Sequence, residues 1–358
     1  MLPSPKSVGR FTLCLAAIAM GLALVAAPFF TSRAIIQDMF GLLTLLILAM
    51  NWNMLAGFAG LVSVGQQAFV GVGAYVMFAA IILFDLDPLL AIGIGGLGAM
   101  ALSVPMAFFA FRLNGAYFAI GTWVVADIAR LVAGQIKALG GGTGTSLPKG
   151  TSKEMIGVDH IQALMKISGA AAADALVYWL ALALAACTLF ASYLFLRSRM
   201  GLGLQAIRDN SAAARSVGVD PLRLQLAVFV LCALGTGICG GLMFLQITRI
   251  TPDAAFSVID WTAFVIFIVV IGGLGTLPGP IVGAVIFYAL QRAFADYGTV
   301  YLILLGAVGI GTMLFARKGV WGTLASRFGI DILPLRHRAP KRTAASPRPR
   351  ATSVTASH

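Results

Sequence analysis

Charge is what this sequence has least of. Only 11% of its 358 residues are Asp, Glu, Lys or Arg and 59% are hydrophobic, whereas a soluble domain carries about 25% charged residues. Such a chain cannot cover a globule with polar surface, so a soluble protein is excluded and a membrane is its solvent. Cysteine is scarce as well. Cys14, Cys187, Cys232 and Cys239 all lie in apolar runs and form no CxxC pair, which argues against a disulfide framework or a zinc cluster and leaves small packing residues. His160, His337 and His358 are scattered, so neither a metal nor a cofactor is expected. No Gly-Lys dipeptide occurs, so the phosphate-cradling P-loop is missing. No nucleophile is paired with a base at bilayer depth, so the chain does not read as an enzyme.

What is present is long apolar sequence punctuated by glycine, 41 residues in all, a content that suits helices packing closely or breaking inside a bilayer. Residues 11–30, 39–84, 89–111, 175–196, 224–248, 261–291 and 297–316 are free of charge, and about 20 apolar residues cross a membrane. The first run follows Lys6 and Arg10, exceeds the h-region of a signal peptide and is followed by no clean A-x-A site, so it reads as a retained span. The run 39–84 has room for two crossings, with a break in NWNMLAGFAGLVSVGQQ, residues 51–67; the run 261–291 is interrupted by IGGLGTLPGP, residues 271–280. A weaker span, 115–132, carries Asp127 and Arg130 three residues apart, which reads as an ion pair near the outer interface, with a role in transport as the alternative.

The net charge of +12 is concentrated in two places. Residues 197–223 hold five Arg and two Asp, and residues 317–358 hold nine Lys or Arg and one Asp. Cationic segments beside spans mark the cytoplasmic side, so this distribution points to the membrane and not to nucleic acid. Both segments then lie on one side, which requires an even number of crossings between them. Counting 39–84 and 261–291 as two each predicts about ten helices, some broken or re-entrant, in an all-α polytopic membrane protein with both termini cytoplasmic. Residues 133–174 fall outside. The expected division is an N-terminal segment with the first span, 1–34; a transmembrane domain, 35–322; and a basic, disordered tail, 323–358, held near anionic membrane lipid.

Ionisable groups inside a membrane are costly and serve proton relays; this chain keeps almost none, so its driving force is expected from a partner. The two breaks would place half-helix N-termini, each carrying about half a positive charge, near the midplane, where they can face a carboxylate. Asn51, Asn53, Gln66 and Gln67 would either line that path or hold helices together; Gly272, Gly273 and Gly275 would serve it as packing or hinge positions.

GLGLQAIRDNSAAARSVGVD, residues 201–220, is polar between two spans. Ser211 is expected to cap a short helix over Ala212, Ala213, Ala214, Arg215, Ser216 and Val217, with Gly218 as a left-handed stop and Asp220-Pro221 opening the next span. Its alanine face would admit a second protein surface, oriented by Arg208, Asp209 and Arg215.

The element AARSVG within it resembles the A-A-x-x-x-G coupling motif of ATP-binding cassette importer permeases, and SRMGLGLQAIRDNSAAARSVGVDP resembles the loop of the LivM-type branched-chain amino acid permeases. The likeness extends to NMLAGFAGLVSVGQQAFVGVGAY (53–75), LNGAYFAIGTWVVADIARLV (113–132) and VVIGGLGTLPGPIVGA (269–284), covering about 35–322. The departures are Ala212 where the general importer motif has Glu, Ala116 where the family commonly has Asp, Asp127 for a usual Glu, and GGTGTS for a T-G-G-x-x-G element. The resemblance implies a multi-pass permease of the bacterial plasma (inner) membrane for leucine, isoleucine and valine. Its implied partners are two cytoplasmic ATP-binding subunits, a second homologous permease and an external binding protein. It implies that Arg208, Asp209, Ala213, Ala214, Arg215 and Gly218 dock on the ATPase. A related importer for urea or short amides, or an ion-coupled secondary transporter, would be the alternatives.

Overall fold

A computed structural model describes residues 19–152, 154–294, 299–316 and 318–328. Helices are started where the sequence offers an acceptor and a proline. Asp87 Oδ1 accepts from Leu89 N at 2.8 Å ahead of Pro88, Asp220 Oδ1 from Leu222 N at 3.1 Å ahead of Pro221, and Thr251 Oγ1 from Ala254 N at 3.3 Å ahead of Pro252. These side chains satisfy N–H groups that the first helical turn leaves open.

The principal helices are α1 (Ala19–Phe30), α2 (Arg33–Asn53), α3 (Gln66–Phe84), α4 (Pro88–Ala110), α5 (Ala116–Gln135), α6 (Val158–Met165) and α7 (Gly169–Arg197). Two short ones, α8 (Arg199–Asp209) and α9 (Ser211–Ser216), lead to α10 (Pro221–Ile247), α11 (Pro252–Ala255), α12 (Phe264–Gly272), α13 (Gly279–Phe294), α14 (Thr299–Phe315) and α15 (Gly319–Phe328). Among the described residues, eight segments have the length and apolarity of membrane spans, and α1 and α13 are shorter apolar helices. The protein is a multi-pass, all-α membrane protein. The run 39–84 does form two spans, and 261–291 folds into α12 and α13 joined at 273–278.

Hydrogen bonds and ion pairs assign the helix ends to two faces. On one, β1 (Thr145–Ser146) pairs antiparallel with β2 (Arg249–Ile250), Ile156 N donates to Asp87 Oδ2, and Arg33 meets Asp174 while Arg292 meets Asp38. On the other lie α8, α9, the 59–65 loop, the α4–α5 turn and α15. The segment 133–174, expected as a loop, also contains β1 and α6. Residues 323–328, assigned from sequence to a disordered tail, continue α15, because Gly319 seats the helix start against the backbone of Gly272 and Gly273. Residues 1–18 and 329–358 lie outside the described residues, with the first half of the expected N-terminal span and the rest of the tail.

Lipid tails are as apolar as leucine, so burial alone does not drive these helices together and close packing must. Helices α3, α4 and α10 meet at backbone distance: a Cβ on Gly73 would strike the backbone of Gly237, and one on Gly240 that of Val70. Val70, Ala74, Phe78, Ile92 and Phe244 fill the space around that contact and are buried.

Candidate functional site

The loop from α7 to α10 is built from local signals. Ser198 Oγ accepts from Met200 N at 3.2 Å and starts α8. Asn210 then adopts extended backbone, and its Oδ1 accepts from Ala212 N and Ala213 N, both at 3.0 Å. Asn210 is thus the cap of α9, and Ser211, expected in that role, is the first helical residue. An amide oxygen one residue earlier reaches the same open N–H groups. Gly218, at φ +84°, ends the helix through Gly218 N donating to Arg215 O, as its left-handed preference requires.

This short helix presents Ala212, Ala213, Arg215, Ser216, Val217 and Gly218 to the outside, while Ala214 is only 2% exposed. Ala214 therefore seats α9 on its own chain and is not part of the outward alanine face. Beside α9 a cavity of about 470 Å³ opens toward the 59–65 loop and the α4–α5 turn, lined by Val62, Asn114, Ser211, Arg215 and Gln225 among others.

Arg208, at the end of α8, joins this loop to the interior. Its Nη1 donates to Gly57 O at 2.6 Å, and its Nε lies 3.6 Å from Asp209 Oδ1. Gly57 belongs to a wide helical turn, 54–58, in which α2 loosens before the loop; there is no room for a side chain on Gly57 between Asn53 and Gly275. Asn53 bridges to the second break, its Nδ2 donating to Thr276 O and its Oδ1 accepting from Gly275 N, both at 2.9 Å. The two breaks, 223 residues apart in sequence at Asn53 and Thr276, are one junction. Gln225 Nε2 closes it from α10 by donating to Ala59 O at 3.1 Å.

The junction is not at mid-depth. Twenty residues of α2 separate Arg33 from Asn53, about 30 Å of helix and a whole hydrocarbon thickness, which puts the breaks toward the α8 face. Nor do the helix starts there face an open path. Thr276 Oγ1 accepts from Gly279 N at 3.2 Å at the head of α13; before α3, Ser63 Oγ accepts from Gly65 N at 3.2 Å and Thr122 Oγ1 from Val64 N at 3.1 Å. Gly272 and Gly273 are buried against the backbones of Gly279, Gly283 and Gly319, and Gly275, at φ +72°, adjoins Arg208.

Among the four amides the structure separates two kinds. Asn53 is the clamp just described. Gln67 Oε1 accepts from Thr262 Oγ1 at 2.5 Å, and Gln66 Nε2 donates to Leu48 O at 2.9 Å, so both hold helices together. Asn51 differs: it is 5% exposed, and its Nδ2 has no hydrogen-bond partner among the described residues.

At the hairpin face, Asp127 pairs with Arg130 at 2.8 Å, and Arg130 also reaches Asp253 at 2.8 Å. Asp174 was missed by sequence reasoning, since it stands just outside an apolar run among alanines. It is 8% exposed and gathers Arg33, Gln37 and Gln246 from α2 and α10 onto α7.

With this geometry in hand, comparison with known proteins gives consistent results. The family described as "Branched-chain amino acid transport system / permease component" matches residues 35–316. The high-affinity branched-chain amino acid transport system permease protein LivM of Escherichia coli K12 is 27% identical over 317 residues, 85% of this chain and 73% of that protein. The protein of the same name from Salmonella typhimurium is 27% identical, covering 83% of this chain and 72% of its own. A probable branched-chain amino acid transport permease protein LivM of Methanocaldococcus jannaschii is 30% identical over 111 residues, 30% of this chain and 32% of that protein. No solved structure matches the chain significantly.

Proposed function

The chain belongs to the family of permease components of branched-chain amino acid transport systems, and from that premise we propose that it is one permease subunit of an ATP-binding cassette importer for branched-chain amino acids. It works with a second permease, two ATP-binding subunits and an external binding protein, in the plasma (inner) membrane of a bacterium. The α8 face is cytoplasmic. The reading is supported by the bias of Lys and Arg: Arg112, Arg197, Arg199, Arg208, Arg215, Arg223, Lys318 and Arg327 lie on that face and six more follow in the sequence after Phe328, against eight in the segments of the other face.

The observation that carries the coupling role is the Arg208 link. A short outward helix, α9, hangs on α8, and α8 holds the backbone of the first break at Gly57, which Asn53 ties to the second. A push on α9 therefore reaches three apolar helices, α2, α12 and α13, through hydrogen bonds. Ala213, Arg215 and Gly218 form the docking surface, Arg208 transmits the movement, Asp209 steadies Arg208, and Ala214 keeps α9 in place. The fuel comes from the ATPase, in keeping with the lack of an ionisable relay within the spans.

The test is purification of the chain with its neighbours and replacement of the exposed Ala213 by Arg. An ATPase should co-purify with the unaltered chain, and leucine uptake, competed by isoleucine and not by urea, should disappear in A213R while membrane insertion is retained. Normal uptake by A213R refutes the docking surface, and competition by urea in place of isoleucine refutes the substrate class.

A further inference from the structure

The amide that holds nothing together lines a cavity. Between α2, α7 and α10 a cleft of about 260 Å³ is bounded by Asn51, Thr188, Ser192, Val228, Leu231 and Gly235, among others, and its surface is almost wholly apolar. Asn51 sits at its floor against Gly235, halfway along α10: a Cβ on Gly235 would come within 3.0 Å of Asn51 Nδ2. Of the three buried side-chain atoms without a partner among the described residues, Asn51 Nδ2 is the one whose residue lines this cleft, and it lies just beneath the cleft surface, so an occupant reaches it by a small rotation of the amide.

We propose that this cleft is a seat for the transported amino acid, taking a compact branched hydrocarbon side chain against α7 and α10 while a carboxylate oxygen accepts from Asn51 Nδ2; this rests on the importer reading above. The volume is that of about nine waters at about 30 Å³ each, enough for one small amino acid and too small for a peptide. An acyl chain of a lipid would fit the apolar walls but leave the Asn51 N–H groups unpaired, and buried donors are almost always paired. An occupant with an oxygen acceptor at one end and branched hydrocarbon at the other satisfies both parts of the lining. Thr188 and Ser192 on the α7 wall offer hydroxyl oxygens to its ammonium group. A zwitterion cannot face hydrocarbon, so the open side of the cleft, flanked by the exposed Leu231, is turned toward the second permease.

The experiment uses the full transporter complex in membranes, a diazirine analogue of leucine as the probe, and peptide mapping of the label. The unaltered complex should take up leucine and be labelled within residues 184–195 or 228–238, with protection by leucine. Replacing Asn51 by Leu keeps the branched heavy-atom outline, adds a little bulk and removes the donor; the leucine concentration giving half protection should rise about tenfold or more, the worth of a hydrogen bond to a charged group. Gly235→Val should abolish the label by filling the cleft, and Ser192→Ala, a milder change, should weaken protection if Gly235→Val fails to insert. Leucine-protected label elsewhere, with uptake intact, overturns the cleft and leaves the importer standing. Label in the cleft that a diazirine fatty acid shares and leucine does not displace makes it a lipid seat and overturns the proposal. Failure of the unaltered complex to take up leucine overturns the importer reading and this inference together.

Discussion

The two faces of this bundle use charge in opposite ways. At the hairpin face, acids and bases from different elements are tied to one another: Arg33 to Asp174, Arg292 to Asp38 and Arg130 to Asp253, with Asp127 joining Arg130 from the same helix. At the α8 face, Arg112 stacks over Phe108 at 4.3 Å, Arg208 holds a backbone carbonyl, the ion pairs Arg208–Asp209 and Arg223–Asp220 join near neighbours in sequence, and neither Arg199 nor Arg215 forms an ion pair among the described residues. The first arrangement fastens helices to each other. The second leaves cationic groups turned outward, and its one inward reach, Arg208, grips the backbone of a loosened turn while its only side-chain partner among the described residues is its neighbour Asp209. Under the importer reading proposed above, the first face stays still and the second is moved.

The contrast is broken most sharply at Asp174. Replacing it with Ala strands Arg33, Gln37 and Gln246 at once, and charge-assisted hydrogen bonds are worth about 1.5 to 3 kcal/mol each before sharing and exposure reduce them. A loss of about 3 kcal/mol is expected, read as a fall in melting temperature of the purified protein in detergent. The matching change at the other face, Arg215→Ala, should leave the melting temperature unchanged, as surface substitutions do, while reducing recovery of the ATPase. Equal destabilisation by both variants would abolish the distinction between the faces.

A smaller effect is expected at the link between loop and breaks. Arg208→Lys keeps the charge but not the reach of the planar guanidinium to Gly57 O. Because the Arg208 side chain is 43% exposed, a cost of about 1.5 kcal/mol is expected, at the low end for a charged hydrogen bond. Its consequence for transport should be larger than for stability: the ATPase stays bound and hydrolyses ATP, but less leucine enters per ATP. An unchanged ratio of uptake to hydrolysis would remove Arg208 from the transmission.

Most of the span architecture was legible because it rests on rules that act locally. Length and apolarity marked the crossings, Asp220-Pro221 marked the start of α10, and Gly218 the end of α9. The parity of crossings between two cationic segments required that residues 261–291 turn back, and they do. What was not legible depended on which residues meet across the chain. Nothing near Asn53 in sequence says that its amide will be consumed by Gly275 and Thr276, so it shared with Asn51 the same two readings, lining a path or holding helices together, and only the structure separates them. The breaks looked like midplane features because glycine and proline mark a break but not its depth, which the length of α2 decides. Ala214 read as outward because six residues are too few for a periodic face to emerge. Asp174 was invisible because its partners come from α2 and α10.

The mildest test concerns Asp127, whose place in the sequence left open a part in transport. It lies at the hairpin face with its side chain 49% exposed, paired with an arginine that also holds Asp253, itself 83% exposed. Pairs this open contribute under about 1 kcal/mol, and Arg130 keeps Asp253 when Asp127 is lost. Asp127→Asn should therefore lower the melting temperature slightly, with the deficit shrinking further in high salt as screening weakens what remains. Leucine uptake and its dependence on pH should not change, because under the proposed coupling from the α8 face a carboxylate that open to solvent and already compensated has no task. Loss of uptake in this variant, at normal stability, would give the fastened face a working part and erase the division of labour between the two ends.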